Sequence, residues 1–464
     1  MAESLRTVSP VDGKVVVERP LAGLAEIDEA LDRAVAAWEA WRRTPLGERI
    51  ASVTAFVDAV LADRDTHAEE ITLQMGRPIA QAPGELAGFE ERARAMIDLA
   101  PEALADLPAT DRRGFRRFIR REPLGVVLVL AAWNYPWLIA VNSVVPALLA
   151  GNVVLLKHSE QTPLVAERLS EAAEAVGLPP GVFQHVHASH ATIGRVVADD
   201  RVAFVAFTGS VEGGRAVHRA AGGHFKAVGL ELGGKDPAYV RPDADLDFTV
   251  DGLVDGAFFN SGQSCCGVER IYVHRSLYAP FLEAFVERVR AYRLGDPRDP
   301  ETTLGPVVRA SNAAAIRAQV AEALARGARG LLDPAAFPQA REGTPWVAPQ
   351  VLVDVDPTMA VMREETFGPV VGIAPVDDDE EALRHMADSP YGLTASIWTR
   401  DAPAALSLGD RLETGTVFMN RCDVLDPELA WVGVKHSGRG CSLSPVGFEH
   451  LTRPKSFHLR VTLP

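Results

Sequence analysis

The chain has 464 residues, more than a single hydrophobic core accommodates, so two or three domains are expected. It is 47% hydrophobic and 23% charged, which excludes a disordered or fibrous protein. Its net charge of -15 argues against nucleic acid or an anionic membrane as the main partner. The opening residues, MAESLRTVSP, contain neither a basic nor an apolar targeting segment. Cys265 and Cys266 are neighbours, while Cys422 and Cys441 lie far downstream. That distribution suits neither a disulfide framework nor a zinc site, so a reducing, cytoplasmic setting and no metal are expected.

In chain order, residues 26–73 are rich in helix formers. Residues 111–121 (DRRGFRRFIRR) alternate arginine pairs with apolar residues, as in an exposed strand or hairpin. No second basic cluster supports a phosphate or nucleic-acid site there, so the segment reads as a solvated or subunit-facing ribbon. Residues 124–156 are strongly apolar, but Asn134, Pro136, Asn142, Pro146, Gly151 and Asn152 interrupt them. A membrane helix needs about twenty apolar residues without such breaks. The segment is expected to form buried strand, polar turn, helix and buried strand. The runs 126–132, 153–156 and 202–207 do not alternate, which predicts strands buried on both faces of a parallel sheet. Thr162 and Pro163 offer a helix start and Gly177 a stop. The order strand, helix, strand predicts βαβ units and an α/β fold. A second region of like character spans about 234–437, with strands near 269–274 and 395–399 and helices near 277–293 and 311–326. The tail after 450 can add an edge strand.

Several segments can carry chemistry. In NSGQSCCG (260–267) two glycines flank the cysteine pair, and a thiol held there can use its own backbone N–H toward an oxyanion. Taken alone, a buried structural cysteine accounts for this segment better than a nucleophile does. In LELGGKD (230–236), Glu231 ends an apolar strand, where an ionised carboxylate is costly and its pKa rises. That suits a general base, and a glutamate paired with a basic neighbour suits the residues equally. AFTGSVEGG (206–214) closes a buried strand with Gly209, Ser210 and Gly214. It is not the GxGxxG fingerprint, yet backbone N–H groups at a strand-to-helix turn can hold a pyrophosphate. Lys157 and Glu160 follow another buried strand, where they can reach ribose hydroxyls or simply face solvent.

The order of these blocks is more specific than any one of them. AAWNYP (131–136), KHSEQTP (157–163), FTGSVEGG (207–214), ELGGK (231–235), FFNSGQSCCG (258–267), EETFGPV (364–370), YGLTASIW (391–398) and GTVFMN (415–420) resemble the aldehyde dehydrogenase superfamily from about residue 10 to the end. The resemblance implies a Rossmann-type cofactor domain (1–104 and 124–233) and a second α/β catalytic domain (234–437). It also implies a small β-ribbon (105–123 and 450–464) that pairs subunits into a homodimer or homotetramer. It makes Cys265 the nucleophile, with Cys266 a bystander. Asn134 and the Cys265 N–H become the oxyanion donors, and Glu231 the base that activates water against a thioester. Relatives that pass the acyl group to coenzyme A generally lack this glutamate, so a free acid is the implied product.

The implied cofactor is NAD, with NADP possible. Lys157 and Glu160 match adenosine-ribose positions, and a carboxylate there disfavours a 2′-phosphate. Trp133, Gly209, Ser210, Gly214, Leu232 and Gly233 match pyrophosphate and nicotinamide-side positions. Glu365 and Phe367 match the pair at the nicotinamide ribose. Two departures stand out: Asn142 and Ser143 occur where many relatives carry a lysine, and Cys441 and Ser442 where many carry Arg-Glu. The relay around Glu231 is then expected to use water more than a partner carboxylate.

For the substrate, the resemblance places Tyr135, Trp137, Leu138, Asn142, Ser264, Leu425 and Trp431 along the tunnel. That set contains no arginine, and an uncharged aliphatic or aromatic aldehyde is expected. Asp423, Asp426 and Glu428 would favour an aminoaldehyde if they faced the tunnel mouth. Arg421 is the basic residue that would favour an NADP-dependent semialdehyde dehydrogenase. A non-catalytic protein on the same scaffold is the remaining alternative, against which Cys265, Glu231 and Asn134 all stand.

Overall fold

The computed structural model describes residues 3–463; Met1, Ala2 and Pro464, at the outer ends of the expected cofactor unit and ribbon, lie outside the described residues. The non-alternating runs form the strands Val126–Ala131, Val153–His158 and Val202–Thr208. With Phe183–His185 and Ala227–Glu231 they make a parallel sheet, closed at one edge by antiparallel Gly438–Arg439. From the central strand Val126–Ala131 the chain winds first toward 183–185, then returns to build 202–208 and 227–231 on the other side. That reversal is a topological switch point, where doubly wound sheets bind ligands beyond the carboxyl ends of their strands.

The apolar segment 124–156 is strand, turn, helix Pro136–Ala150 and strand. No helix among the described residues is long and apolar enough to cross a membrane. The helical stretch over 26–73 is divided into Leu24–Trp41, Leu46–Ala62 and Arg64–Met75. Pro45 interrupts it, since proline restricts the residue before it and donates no N–H. Thr162 does not cap the next helix. Its hydroxyl meets His158 Nδ1 at 3.1 Å, and Pro163 takes the cap position of Leu164–Ala175.

A second sheet orders its strands as 329–330, 350–353, 370–376, 268–274, 236–240, 394–398 and 416–419, parallel except at the first. Its helices include Arg275–Arg290 and Ala310–Ala325. Residues 232–235 lead from the carboxyl end of a first-sheet strand into the amino end of a second-sheet strand. Glu231 therefore stands where the chain passes from the first sheet to an interior strand of the second. The Arg-rich segment forms Phe115–Pro123, paired antiparallel with Thr452–Arg460 and Leu107–Pro108. Phe118 stacks on Phe457 with ring centres 4.6 Å apart, which fixes that register. An unanticipated hairpin, Ser4–Val8 with Val15–Pro20, is tied to the turn after Val153–His158 by Thr7 Oγ1, which donates to the Glu160 carbonyl at 2.7 Å.

Candidate active site

Cys265 lies in the loop just ahead of the strand Val268–His274. The loop is shaped by three successive left-handed residues, Asn260 (φ 52°), Ser261 (φ 58°) and Gly262 (φ 69°). Asparagine tolerates that conformation, and at Gly262 a side chain would come within 2.2 Å of the Gly368 carbonyl. Gln263 pins the loop from inside, accepting from the Val308 N–H at 2.8 Å and donating to the Asn260 carbonyl at 3.1 Å. The strand end carrying Glu231 approaches closely, for a Cβ on Gly234 would sit 2.5 Å from the Cys265 carbonyl.

Asn134 follows the central strand of the first sheet and is buried. Arg77 and Asn260 Nδ2 both donate to its carbonyl, and Arg77 is in turn paired with buried Glu85 and stacked on Tyr135. Its side-chain amide donates one N–H to the Gln263 carbonyl at 3.2 Å. The other N–H has no acceptor among the described residues and shares a pocket with Cys265 and Glu231. An amide so held is preorganised to receive an oxyanion.

Glu231 is half-buried, and burial pushes its carboxyl above the usual range. Ser442 and Thr208 donate hydroxyls to its two oxygens, the latter at 3.1 Å, and Arg92 adds a positive charge; all three oppose that rise. Behind it lies a cavity of about 30 Å³ whose lining includes Asn142, Ser143, Thr208, Ser442 and His450. That is space for a water or two among polar groups. Ser442, at the position where the sequence lacks a second acid, supplies a hydroxyl there, held by mutual backbone hydrogen bonds with Trp431.

Cys266 points the other way. Its thiol donates to Asp423 at 3.1 Å, and Ser264 donates to the same carboxylate oxygen at 2.5 Å. The adjacent Cys265 thiol, together with burial, pushes the Cys266 thiol well above its ordinary value. A thiol held protonated is a poor nucleophile.

A cleft of about 530 Å³ runs along the carboxyl ends of the first-sheet strands, lined by Trp133, Lys157, Glu160, Gly209 and Ser210 among others. It shares Trp133, Gly209 and Ser210 with the pocket holding Cys265, Glu231, Leu232, Gly233, Glu365 and Phe367. Ser210 caps the helix Val211–Ala221 by accepting from the Gly213 N–H at 3.2 Å, which leaves its own hydroxyl hydrogen and the first-turn amides for an anion. Gly214, in that first turn, packs on Leu232. Burial pushes the Lys157 ammonium below its usual value, opposed by the Glu160 charge. On the far wall, the buried Glu269 carboxylate accepts the Thr366 and Phe367 N–H groups, the latter at 2.9 Å, and so sets the loop that carries Glu365. Phe367 meets Trp133 edge to face at 5.6 Å. The size, the capped helix start and the two carboxylates fit a dinucleotide.

A family model described as the aldehyde dehydrogenase family matches residues 1–457. The chain belongs to that family. A succinate-semialdehyde dehydrogenase [NADP(+)] of Mycobacterium avium is 36% identical over 456 residues, covering 97% of this chain and 96% of that one. A succinate semialdehyde dehydrogenase [NAD(P)+] of Escherichia coli is 36% identical over 450 residues, with coverage of 96% and 95%. The crystal structure of an NAD-dependent aldehyde dehydrogenase from Sinorhizobium meliloti superposes with a TM-score of 0.95 at 33% identity, over 100% of this chain and 92% of that one.

Within this aldehyde dehydrogenase the expected tunnel set divides. Tyr135 lies beside Ser264, Cys266 and Asp423, and Leu138 packs over Gly88. Leu425 and Trp431 belong to the core around the first sheet. Trp137 departs from expectation: it is fully buried, stacked on His67 at 4.7 Å and edge-on to Phe89 at 5.6 Å, so it packs the helical layer. Asp426, Glu428 and Arg421 are exposed, while Asp423 turns inward, its carboxyl pushed up to about 6 by burial. Two buried arginines stand behind the expected tunnel residues: Arg77 stacks on Tyr135, and Arg92 donates to Asn142. Arg77 lies in the loop after Arg64–Met75 and Arg92 on the helix Ala82–Ala103, both far from the motifs, where an arginine reads as a solvated side chain.

Proposed function

We propose that this enzyme oxidises a carboxylate-bearing aldehyde, a semialdehyde, to the free acid with NAD or NADP. The observation that carries the chemistry is the shared pocket of Cys265, Glu231 and Asn134, open to the dinucleotide cleft. The names of the relatives support the substrate class, in place of the uncharged aldehyde expected from the tunnel residues. In this reading the Cys265 thiolate forms a C–S bond to the aldehyde carbon. The oxyanion is held by the free Asn134 N–H and the Cys265 backbone N–H. When bound, an oxidised nicotinamide supplies the hydride acceptor. Glu231 then takes a proton from a water whose oxygen attacks the Cys265 thioester; the C–S bond breaks, the thiolate leaves, and the carboxylic acid departs. The cavity behind Glu231 gives that proton a polar way out.

An NADH- or NADPH-forming assay with a panel of aldehydes tests this directly. Absence of turnover with every aldehyde and both dinucleotides would overturn it. Residues 1–104 with 124–233 are read as the cofactor unit and 234–437 as the catalytic unit. The ribbon of 105–123 and 450–464 is read as a subunit contact in a cytoplasmic homodimer or homotetramer, an assignment supported by its exposed Leu107, Ile119 and Leu459.

Two results are expected at the cofactor. NAD is preferred, because Glu160 lines the cleft and a 2′-phosphate beside a carboxylate is repelled. In Glu160→Ser the ratio of kcat/KM for NAD over NADP falls by about tenfold, equivalent to about 1.4 kcal/mol. A wild-type preference for NADP would show that Lys157 and Arg309, in the same cleft, outweigh it. At the other end, burial and the Glu269 charge push Glu365 up to about 8. Below that pH its carboxyl is neutral; above it the carboxylate would be available to accept from ribose hydroxyls of a bound dinucleotide. Dinucleotide Kd, followed by protein fluorescence, is therefore expected to tighten from pH 7 to 9. Glu365→Gln is expected to flatten the profile, and an unchanged slope in that variant would place the titrating group elsewhere.

A further inference from the structure

Arg92 lies on the buried face of the helix Ala82–Ala103. Its Nη1 donates to Asn142 Oδ1 at 3.1 Å and to the Leu138 carbonyl at 3.4 Å. No carboxylate pairs with it among the described residues. The other buried arginines are differently placed. Arg77 is paired with Glu85, and Arg270 spends its donors on the carbonyls of Lys235, His385, Met386 and Asp388. In Arg92, Nε and Nη2 make no hydrogen bond within the described residues, yet neither is sealed off, and 8% of the residue stays accessible. Its partner Asn142 lines the same cavity as Glu231, and the Arg92 charge acts on the Glu231 carboxyl, so the guanidinium stands one residue away from the wall of the site.

A buried cation without a counter-charge is costly, and an arginine fork offers paired donors matched to a carboxylate. Asn142 holds one nitrogen and thereby fixes the plane of the other two. We propose that Arg92 is a specificity-determining residue that binds the distal carboxylate of the substrate through its unused N–H groups, orienting a short-chain semialdehyde with its aldehyde at Cys265. This rests on the semialdehyde reading above and adds the group that would select for it. A carboxylate bound there gives the guanidinium its missing counter-charge.

The test compares succinate semialdehyde with butanal, an uncharged aldehyde of equal carbon count, in wild type, Arg92→Met and Arg92→Lys. Wild type is expected to prefer the semialdehyde. In Arg92→Met the ratio of kcat/KM for semialdehyde over butanal falls about 10- to 100-fold, the usual size of a lost charged hydrogen bond, with the loss mainly in KM. Arg92→Lys, which keeps the charge but not the fork, recovers part of it. Succinate is expected to slow iodoacetamide labelling of Cys265 in wild type and not in Arg92→Met, an arm that needs no turnover. Circular dichroism melts report whether each variant is folded. Equal losses on both aldehydes would overturn the proposal and assign Arg92 to the charge balance of Glu231 or to packing. A wild-type preference for 4-aminobutanal, or succinate protection that survives in Arg92→Met, would also overturn it. If wild type oxidised no aldehyde, the functional reading would fail by itself, while succinate protection would still report on Arg92.

Discussion

Cys265→Ala is expected to lower dehydrogenase turnover by on the order of 10⁴-fold or more, because loss of the nucleophile removes the covalent route. Cys266→Ala is expected to retain most activity. The two thiols are adjacent in sequence but differ in surroundings: Cys265 shares the pocket with Glu231 and Asn134, while Cys266 is buried against Ser264 and Asp423. Its raised pKa keeps Cys266 protonated at neutral pH. Iodoacetamide labelling followed by peptide mass analysis gives a second readout, with modification expected at Cys265. Equal loss of activity in both alanine variants, or labelling confined to Cys266, would refute the assignment.

Glu231→Gln is expected to reduce steady-state turnover by roughly a hundred- to ten-thousand-fold, the usual contribution of a positioned general base. Glutamine keeps the size and can still accept from Thr208 and Ser442, so the loss isolates the base. The deficit is expected after hydride transfer. A single turnover then releases up to one reduced dinucleotide per site, and acyl-enzyme accumulates as added mass on Cys265. The wild-type pH profile carries the same signature. Burial raises the Glu231 pKa, so the ionised base is present above that value and turnover falls as pH drops through it, at a higher pH than for an exposed glutamate. In Glu231→Gln this limb is expected to vanish. Absence of both burst and adduct, with Cys265 still alkylated by iodoacetamide, would move Glu231 to an earlier step, the deprotonation of Cys265.

The sequence alone determined three central strands of the first sheet, because the runs within Val126–Ala131, Val153–His158 and Val202–Thr208 are apolar without alternation, as a covered parallel strand requires. It also pointed to Cys265, Glu231 and Asn134, since the glycine turns and the motifs around them are local and leave their pattern in a few adjacent letters. Other features had no such local pattern. Pro45 divides a region that composition marked simply as helical, and Trp137, taken for a tunnel residue, is drawn into the helical layer by His67 and Phe89. Ser442 reads in the sequence as a missing acid and becomes a hydroxyl donor only because Trp431 holds its backbone beside Glu231. Arg92 was illegible for the same reason. On a helix of mixed charge an arginine looks solvated, and only the packing of Ala82–Ala103 against Pro136–Ala150 buries its guanidinium beside Asn142, with two donors left unused near the reacting pair. Local conformation and burial pattern are carried by neighbours in the chain. The charge balance of a site is set by groups that meet across elements, and tertiary packing alone brings those together.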